Sequence, residues 1–575
     1  MMSTFNTPIK IITKKNKHTP INVLLANRFL KEINFVDWIN ERVTWDSKQC
    51  KVSPGQLAKS IVLSTFTQIR QPLSRIGTHF ETMDTELLFE KGVTPSDLND
   101  DALARTLDRM QEAGCSSIFS SLALHAYTTF QIQFKTLHSD TSSRTLYGEY
   151  SACDDPNYKG LLINHGHSKD HRPDLKQVMV GHVVNEYGMP ISCHVLNGNT
   201  SDCQWNQDIV KELRDIWNNG LSPAIYVADS KLVTEPNLSL LVDPVKKTPF
   251  ISRCPDNFSK KMAVEVRQEA YDNNQFISIG TIGKGKRAAC YEVSEHERIW
   301  KEANLRLIVC RSSAGKKKLE NHLEQDKKEL ERGIAELRKR KFVCEPDAQY
   351  AAESLLHTYR KNLWDIRFEI NSTVVEKRRP GRPSKQPVEV AKTTTWTVVA
   401  NVGNQNVERV YKEKQKTESF VLITNVRKET MDAREILACY KEQRVVEIQF
   451  HLLKQPALAA QIFIKTPGRI EALITLLQVS LLIRSFLQYR ARKNLENRKT
   501  LPKIDFERKK LDKPTSEKIL LLLSRIDVET ELNGDHILRL RNTFEEEKLN
   551  TLLELLEIKI EQLITWKNPS SKREF

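Results

Sequence analysis

At Gln131 the chain changes its hydrophobic period, and that switch constrains its architecture more than any other feature. Before it, apolar residues recur at helical spacing. Ser53-Pro54-Gly55-Gln56 combines a capping Ser, Pro at the first helical position and Gln three residues after the cap, a capping box expected to open a helix over Leu57 to Ile69. Leu103, Leu107 and Met110 predict a second helix from about Asp100. After Gln131 the pattern alternates: Phe134, Thr136, His138 and Asp140 share one face of a predicted strand that ends in a carboxylate. Strands are also expected at Val178 to Val184, Ile191 to Leu196 and Ala224 to Ala228, with a helix at Trp205 to Trp217. The run Ala-Ile-Tyr-Val-Ala is apolar throughout, as a central strand covered on both faces should be, and it stops at Asp229. Two strands are therefore expected to deliver two carboxylates at their ends.

The rest of the chain divides by composition. Residues 1–130 read as a helical N-terminal domain, 131–245 as the first part of an α/β domain, and 246–425 as an α+β insertion. Residues 426–495 read as the second part of the α/β domain and 496–575 as a helical C-terminal region. Within the insertion, Leu319, Leu323, Leu330, Ile334 and Leu337 form a narrow stripe on a long charged helix, whose expected partner carries Leu355, Leu356, Tyr359 and Leu363. A basic linker, Lys377 to Lys385, precedes strand-like Thr395 to Val402 and Phe420 to Thr424. From Asp432 the pattern is helical nearly to the end, with Leu549, Leu552, Leu553, Leu556 and Ile560 on one face. At 575 residues, three to four structural units are expected.

Composition narrows the function classes. Hydrophobic residues at 39% and charged residues at 28% argue against a wholly disordered chain. The net charge of +15 leans towards a polyanionic partner such as nucleic acid. Ten cysteines without a CxxC pair exclude the usual zinc modules and fit a reducing cytosol. Met1 to Lys17 lacks the apolar core of an export signal, and a cytoplasmic location without membrane partners is expected. The apolar stretch Ile470 to Ile483 is interrupted by Glu471 and Gln478 and falls short of the roughly 20 residues that span a bilayer, so it reads as a buried core helix.

Carboxylates delivered by strands of one sheet suit phosphodiester chemistry, in which hard oxygen ligands hold divalent metal ions roughly 4 Å apart. Asp140 or Asp229 alone reads as an ordinary turn or cap residue; the pair gains meaning with a third member. One predicted helix, Asp432 to Gln455, supplies it: Tyr440, Glu447 and Lys454 recur at seven-residue spacing, with Arg444 on the same face. Such a stripe suits an acid on metal and cations on phosphate oxygens. An ordinary solvated face with an Arg444–Glu447 ion pair is the alternative.

The segment from Tyr440 to Lys454 resembles the signature helix of DDE transposases from bacterial insertion sequences, Y-x2-R-x3-E-x6-K, except that Gln443 stands at the Arg position and Arg444 follows one residue late. The resemblance extends to His138-Ser-Asp140-Thr-Ser-Ser, His167-Ser-Lys-Asp-His-Arg-Pro-Asp-Leu-Lys176, Gly198-Asn-Thr-Ser-Asp202, Val227-Ala-Asp229-Ser-Lys-Leu232 and Arg469-Ile-Glu-Ala-Leu473, over roughly residues 50 to 490. It implies an α/β fold with a ribonuclease H-like catalytic domain split by an α+β insertion domain, between helical N- and C-terminal regions. The interval from Asp229 to Glu447, 447 − 229 = 218 positions, leaves room for that insertion. It further implies Asp140, Asp229 and Glu447 as catalytic metal ligands for Mg2+, with Mn2+ able to substitute. Double-stranded DNA, as element ends and target, is the implied partner, a homodimer the implied active assembly, and the bacterial nucleoid the implied location. Water and then a freed 3′-hydroxyl attack phosphodiesters without a covalent protein intermediate. A catalytically inactive DNA-binding descendant and a metal-dependent nuclease that does not join ends are the alternatives.

Tyr440, Arg444 and Lys454 are candidate DNA contacts, as are Lys169, Arg172 and Lys176 in the His167–Lys176 segment. His165, His167 and His171 cluster there too, but among cations they read as loop or DNA-contact residues rather than zinc ligands. Arg379-Pro-Gly-Arg382-Pro resembles the Gly-Arg-Pro core of an AT-hook, which lays Arg into a narrow minor groove, with a plain basic linker as the alternative. Ser230 and Lys231 lack the paired His or oxyanion arrangement of a nucleophilic site.

Overall fold

The computed structural model describes residues 16–67, 72–218, 224–283, 285, 288–377, 391–454, 464–498, 505–506, 509–531, 536–539 and 543–564. Contacts divide the chain into two units, Met1–Phe250 with Cys439–Phe575, and Ile251–Ala438.

In the first unit, Ser53 caps the helix Pro54–Ser64 by accepting the Gln56 N–H. The Gln56 side chain does not complete the box; it donates to Glu90 Oε1 at 3.1 Å. The helix ends at Ser64, five residues short of the expected Ile69. Asn99 caps Asp100–Ala113, which buries Leu103, Leu107 and Met110 as their spacing predicts. At the centre lies Pro467–Glu496, a 30-residue helix buried on nearly all sides from Ile470 to Leu487. It is the one described helix long and apolar enough by composition to cross a membrane, but 94% of its most apolar window is buried inside the fold, as a core helix should be.

The sheet of this unit runs in the order Pro190–Leu196, Gln177–Asn185, Thr136–Thr145, Ile225–Val227. The first three strands are antiparallel, and the last pairs parallel to Thr136–Thr145, with Thr136 opposite Ile225 and His138 opposite Val227. Asp140 is therefore in the middle of a ten-residue strand rather than at its end. The polar run Thr141 to Thr145 remains extended because its side chains find partners: Thr141 bonds Asp202, Ser143 Oγ accepts the Lys169 N–H at 2.9 Å, and Thr145 bonds Asp170 at 3.0 Å. Asp229 does lie just past its strand, as expected.

Two further expectations are corrected. The predicted helix Asp432 to Gln455 is two helices, Ala433–Lys441 and Arg444–Lys454. Between them Glu442, Gln443, Val445 and Val446 donate to carbonyls three residues back, and this tighter winding takes Tyr440 and Glu447 out of one continuous helical register. The C-terminal region is not helical throughout: Asp527–Thr530 and His536–Arg539 form a three-stranded antiparallel sheet with Lys17–Pro20 near the start of the chain.

In the second unit, strands Phe250–Arg253, Ser419–Thr424, Ala303–Ser312, Ala289–Trp300 and Ile277–Ile282 follow one another in an antiparallel order. The helices Ser313–Arg338 and Glu345–Thr358 cover a long two-stranded ribbon, Trp364–Lys377 with Ala391–Gln405. Their core joins Leu330, Ile334 and Leu337 to Ala348, Ala351, Ala352, Val398 and Ala400. Leu355 and Tyr359 of the expected partner face pack against this core, half-buried, while the second helix's fully buried positions are alanines. Trp364, Ile366, Phe368 and Ile370 of the ribbon pack on this core, whereas Val374 and Val375 further along are exposed.

Candidate active site

The parallel register brings two acids together. Two residues beyond the paired His138 and Val227 lie Asp140, still within its strand, and Asp229, just past the end of its own. Both are half-buried. Asp229 Oδ1 accepts the Lys231 N–H at 3.0 Å and caps the turn Ser230–Leu232, so it also serves as the cap its position suggests. Burial raises the Asp140 carboxyl to about 6, with the charges of Asp229 and Asp202 adding to the effect and Lys169 opposing it. Asp229 is also raised, first by burial and then by Asp202, against the pull of Lys169 and Lys231.

Sequence reasoning did not place Asp202 in the site. It opens the helix Asp202–Asn218, where an acid reads as ordinary compensation of the helix dipole. The fold turns it towards the strand: Thr141 Oγ1 donates to its Oδ1, and Lys169 Nζ stands 3.9 Å from the same oxygen. Lys169 Nζ is also 3.8 Å from Asp140 Oδ1 and donates to the Thr141 carbonyl at 2.6 Å. A candidate DNA contact in the sequence thus lies over the acids in the structure.

Glu447 is placed differently. The helix Arg444–Lys454 packs Val446, Gln449, Phe450 and Leu453 inwards and leaves Glu447 exposed. Phe450, three residues on, stacks on the His182 ring at 4.8 Å between centroids, and His182 is the cross-strand partner of Asp140. At the far end Leu453 O accepts from Arg144, and Lys454 Nζ pairs with Asp170 at 2.7 Å. The helix therefore lies along the Asp140 strand, while Glu447 is not among the charges acting most strongly on Asp140 or Asp229. Among the described residues no three His, Cys, Asp or Glu side chains form a ready-made metal cluster. The donor chemistry nevertheless fits a hard dication: Asp140, Asp229 and Asp202 are mutually repelling carboxylates in a partly desolvated place, with Lys169 and Lys231 among the cations that oppose them.

The other candidate DNA contacts are spread out. Arg172 forms a two-pronged pair with Asp174 at 2.9 and 2.7 Å. Lys176 donates to the Glu149 carbonyl and to Asp154, which makes it a local staple. Arg444 is exposed and Tyr440 half-buried. His165, His167 and His171 are exposed along the same loop. Arg379 and Arg382 lie outside the described residues.

No curated protein matches the chain. Among solved structures it is similar to a cryo-EM structure of a piggyBac transposase synaptic complex with hairpin DNA, at 9% identity and a TM-score of 0.35, over 97% of this chain and 86% of that one. Residues 19–124, in the helical N-terminal part, match a family model described as a domain of unknown function, DUF4277.

Proposed function

We propose that the chain is a DNA transposase that cleaves the ends of a mobile element and joins them to target DNA by a DDE mechanism. The observation that carries this reading is the placement of Asp140, within its strand, beside Asp229, just past the end of the neighbouring parallel strand, in a site where burial and mutual repulsion disfavour the charged carboxylates. The series of motifs that resembles insertion-sequence transposases, from His138 to Leu473, supports it. Asp140 and Asp229 would hold Mg2+, or Mn2+ in its place, with Glu447 as the third acid. Bound there, the metal would supply charge neutralisation at the phosphate and activation of the attacking oxygen.

The protein's own groups have separate tasks. The strand pair fixes the spacing of Asp140 and Asp229. Phe450 on His182 holds the helix of Glu447 along the Asp140 strand. The imidazoles of His138 and His182 are pushed down to about 4 by burial, so they remain neutral behind Asp140 and leave the acids' field to the lysines. Arg444 and the net charge of +15 favour a DNA backbone, and dimers acting on nucleoid DNA in the cytoplasm are part of the proposal.

The test is metal-dependent cleavage and joining of DNA carrying the inverted repeats that flank the gene. Wild type is compared with Asp140→Ala, Asp229→Ala and Glu447→Ala, with DNA binding measured in parallel. Loss of both reactions with binding retained supports the assignment. Cleavage without joining favours a nuclease, and binding without cleavage by wild type favours a DNA-binding descendant.

A further inference from the structure

Lys169 is built into the acidic site from two directions. Its backbone N–H is fixed to Ser143 Oγ at 2.9 Å, so the start of its stem is tied to the Asp140 strand. Its ammonium reaches back over that strand, bonding the Thr141 carbonyl at 2.6 Å and standing 3.8 Å from Asp140 and 3.9 Å from Asp202. The side chain is 33% exposed, so the ammonium has an open route to water.

We propose that Lys169 is an exchangeable counter-ion, which neutralises Asp140 and Asp202 in the metal-free protein and withdraws when a divalent cation takes their oxygens. The proposal rests on the reading of Asp140 as a metal ligand. An ammonium within 4 Å of a carboxylate oxygen competes with a cation for it, because both charges are positive and share the same acceptor. The single point charge on a flexible four-carbon stem suits release, whereas an arginine fork would remain bound through two parallel hydrogen bonds. Because the backbone is tied separately, the ammonium leaves by rotation of its own stem. Without it, Asp140 and Asp202 lose the ammonium that stands within 4 Å of both.

The experiment is calorimetric titration of Mn2+ into the full chain, for wild type, Lys169→Met, Lys169→Gln and Asp140→Asn, with thermal melting in chelator and in Mn2+. Lys169→Gln retains a donor for the Thr141 carbonyl and guards against a folding defect in the Met variant. Both Lys169 variants should bind Mn2+ about tenfold more tightly than wild type, since a like charge about 4 Å away has been removed. They should also melt lower in chelator and gain more from Mn2+. A merely structural role would weaken binding. Unchanged or weaker affinity in both variants, at a site that Asp140→Asn abolishes, overturns the counter-ion role and leaves the metal reading intact. Absence of Asp140-dependent binding from every protein overturns both.

Discussion

Asp140 and Asp229 each lie two residues beyond His138 and Val227, the last paired residues of two parallel strands, and are near enough for the charge of Asp229 to act on Asp140. The charge on Asp140 costs stability in the metal-free protein, because burial first, and repulsion from Asp229 and Asp202 after it, disfavour the charged form. Asp140→Asn should therefore raise the melting temperature in chelator, by an amount corresponding to about 1 kcal/mol, while abolishing cleavage. Paired melting and cleavage assays check this. A variant that melts lower than wild type would show that the Lys169 pairing outweighs the repulsion.

Phe450 stacks the Glu447 helix on His182, which lies on the strand Gln177–Asn185 directly opposite Asp140. Phe450 is 6% exposed, and Phe450→Ala should cost about 3 kcal/mol in denaturant unfolding. Because the same ring holds the helix over the site, cleavage should fall more steeply than DNA affinity. Equal losses of cleavage and affinity would place Glu447 outside the reaction.

Several of these relationships were legible in the sequence, and the reasons others were not are physical. The Ala224–Ala228 run announced a buried strand because both its faces are covered, and Asp229 was found where that run stops. The Asp140 strand was read too short, since Thr141 to Thr145 looks like a turn until Asp202, Lys169 and Asp170 supply hydrogen-bond partners from distant parts of the chain. Asp202, 61 residues from Thr141, carries no local mark of the site. The break at Glu442 and Gln443 was invisible because neither residue is a helix breaker; the tight turn shows only in the backbone bonds. The first ribbon strand, Trp364–Lys377, does carry a signal, since Trp364, Ile366, Phe368 and Ile370 alternate with polar residues and pack on the core, but the pattern fades at Asn371 to Val375, where both faces are exposed.

Gly181 faces Thr141 across the sheet, and a Cβ there would meet the Trp205 ring at 2.8 Å. Trp205 in turn donates its indole N–H to Ser139 Oγ at 2.9 Å, next to Asp140. Gly181→Ala should destabilise the protein by about 1–3 kcal/mol, as overpacking of a buried ring does. Trp205→Leu in the same background should recover part of that loss even though it costs stability alone, a coupling that a double-mutant cycle in urea measures. Additive losses would mean that strand and ring move apart independently.

Asp84 ties the two ends of the chain together. Its carboxylate, 9% exposed, lies 3.5 Å from His536 and 4.0 Å from Lys17 and accepts from the Thr530 hydroxyl, all on the sheet that joins the N- and C-terminal segments. Burial pushes the carboxyl up, but His536, Thr530, the Leu87 N–H and Lys17 outweigh it and bring it from 3.8 to about 2. The folded chain therefore binds this proton more weakly than the unfolded one. The stabilisation, about 2 kcal/mol, is present in full above the unfolded value and lost as pH falls through about 2. Asp84→Asn should lose that amount at pH 7 and show a flatter fall in stability between pH 4 and pH 2, read by urea unfolding at each pH. If wild type and variant lose stability in parallel across that interval, the acid sensitivity of the terminal sheet arises from other carboxylates.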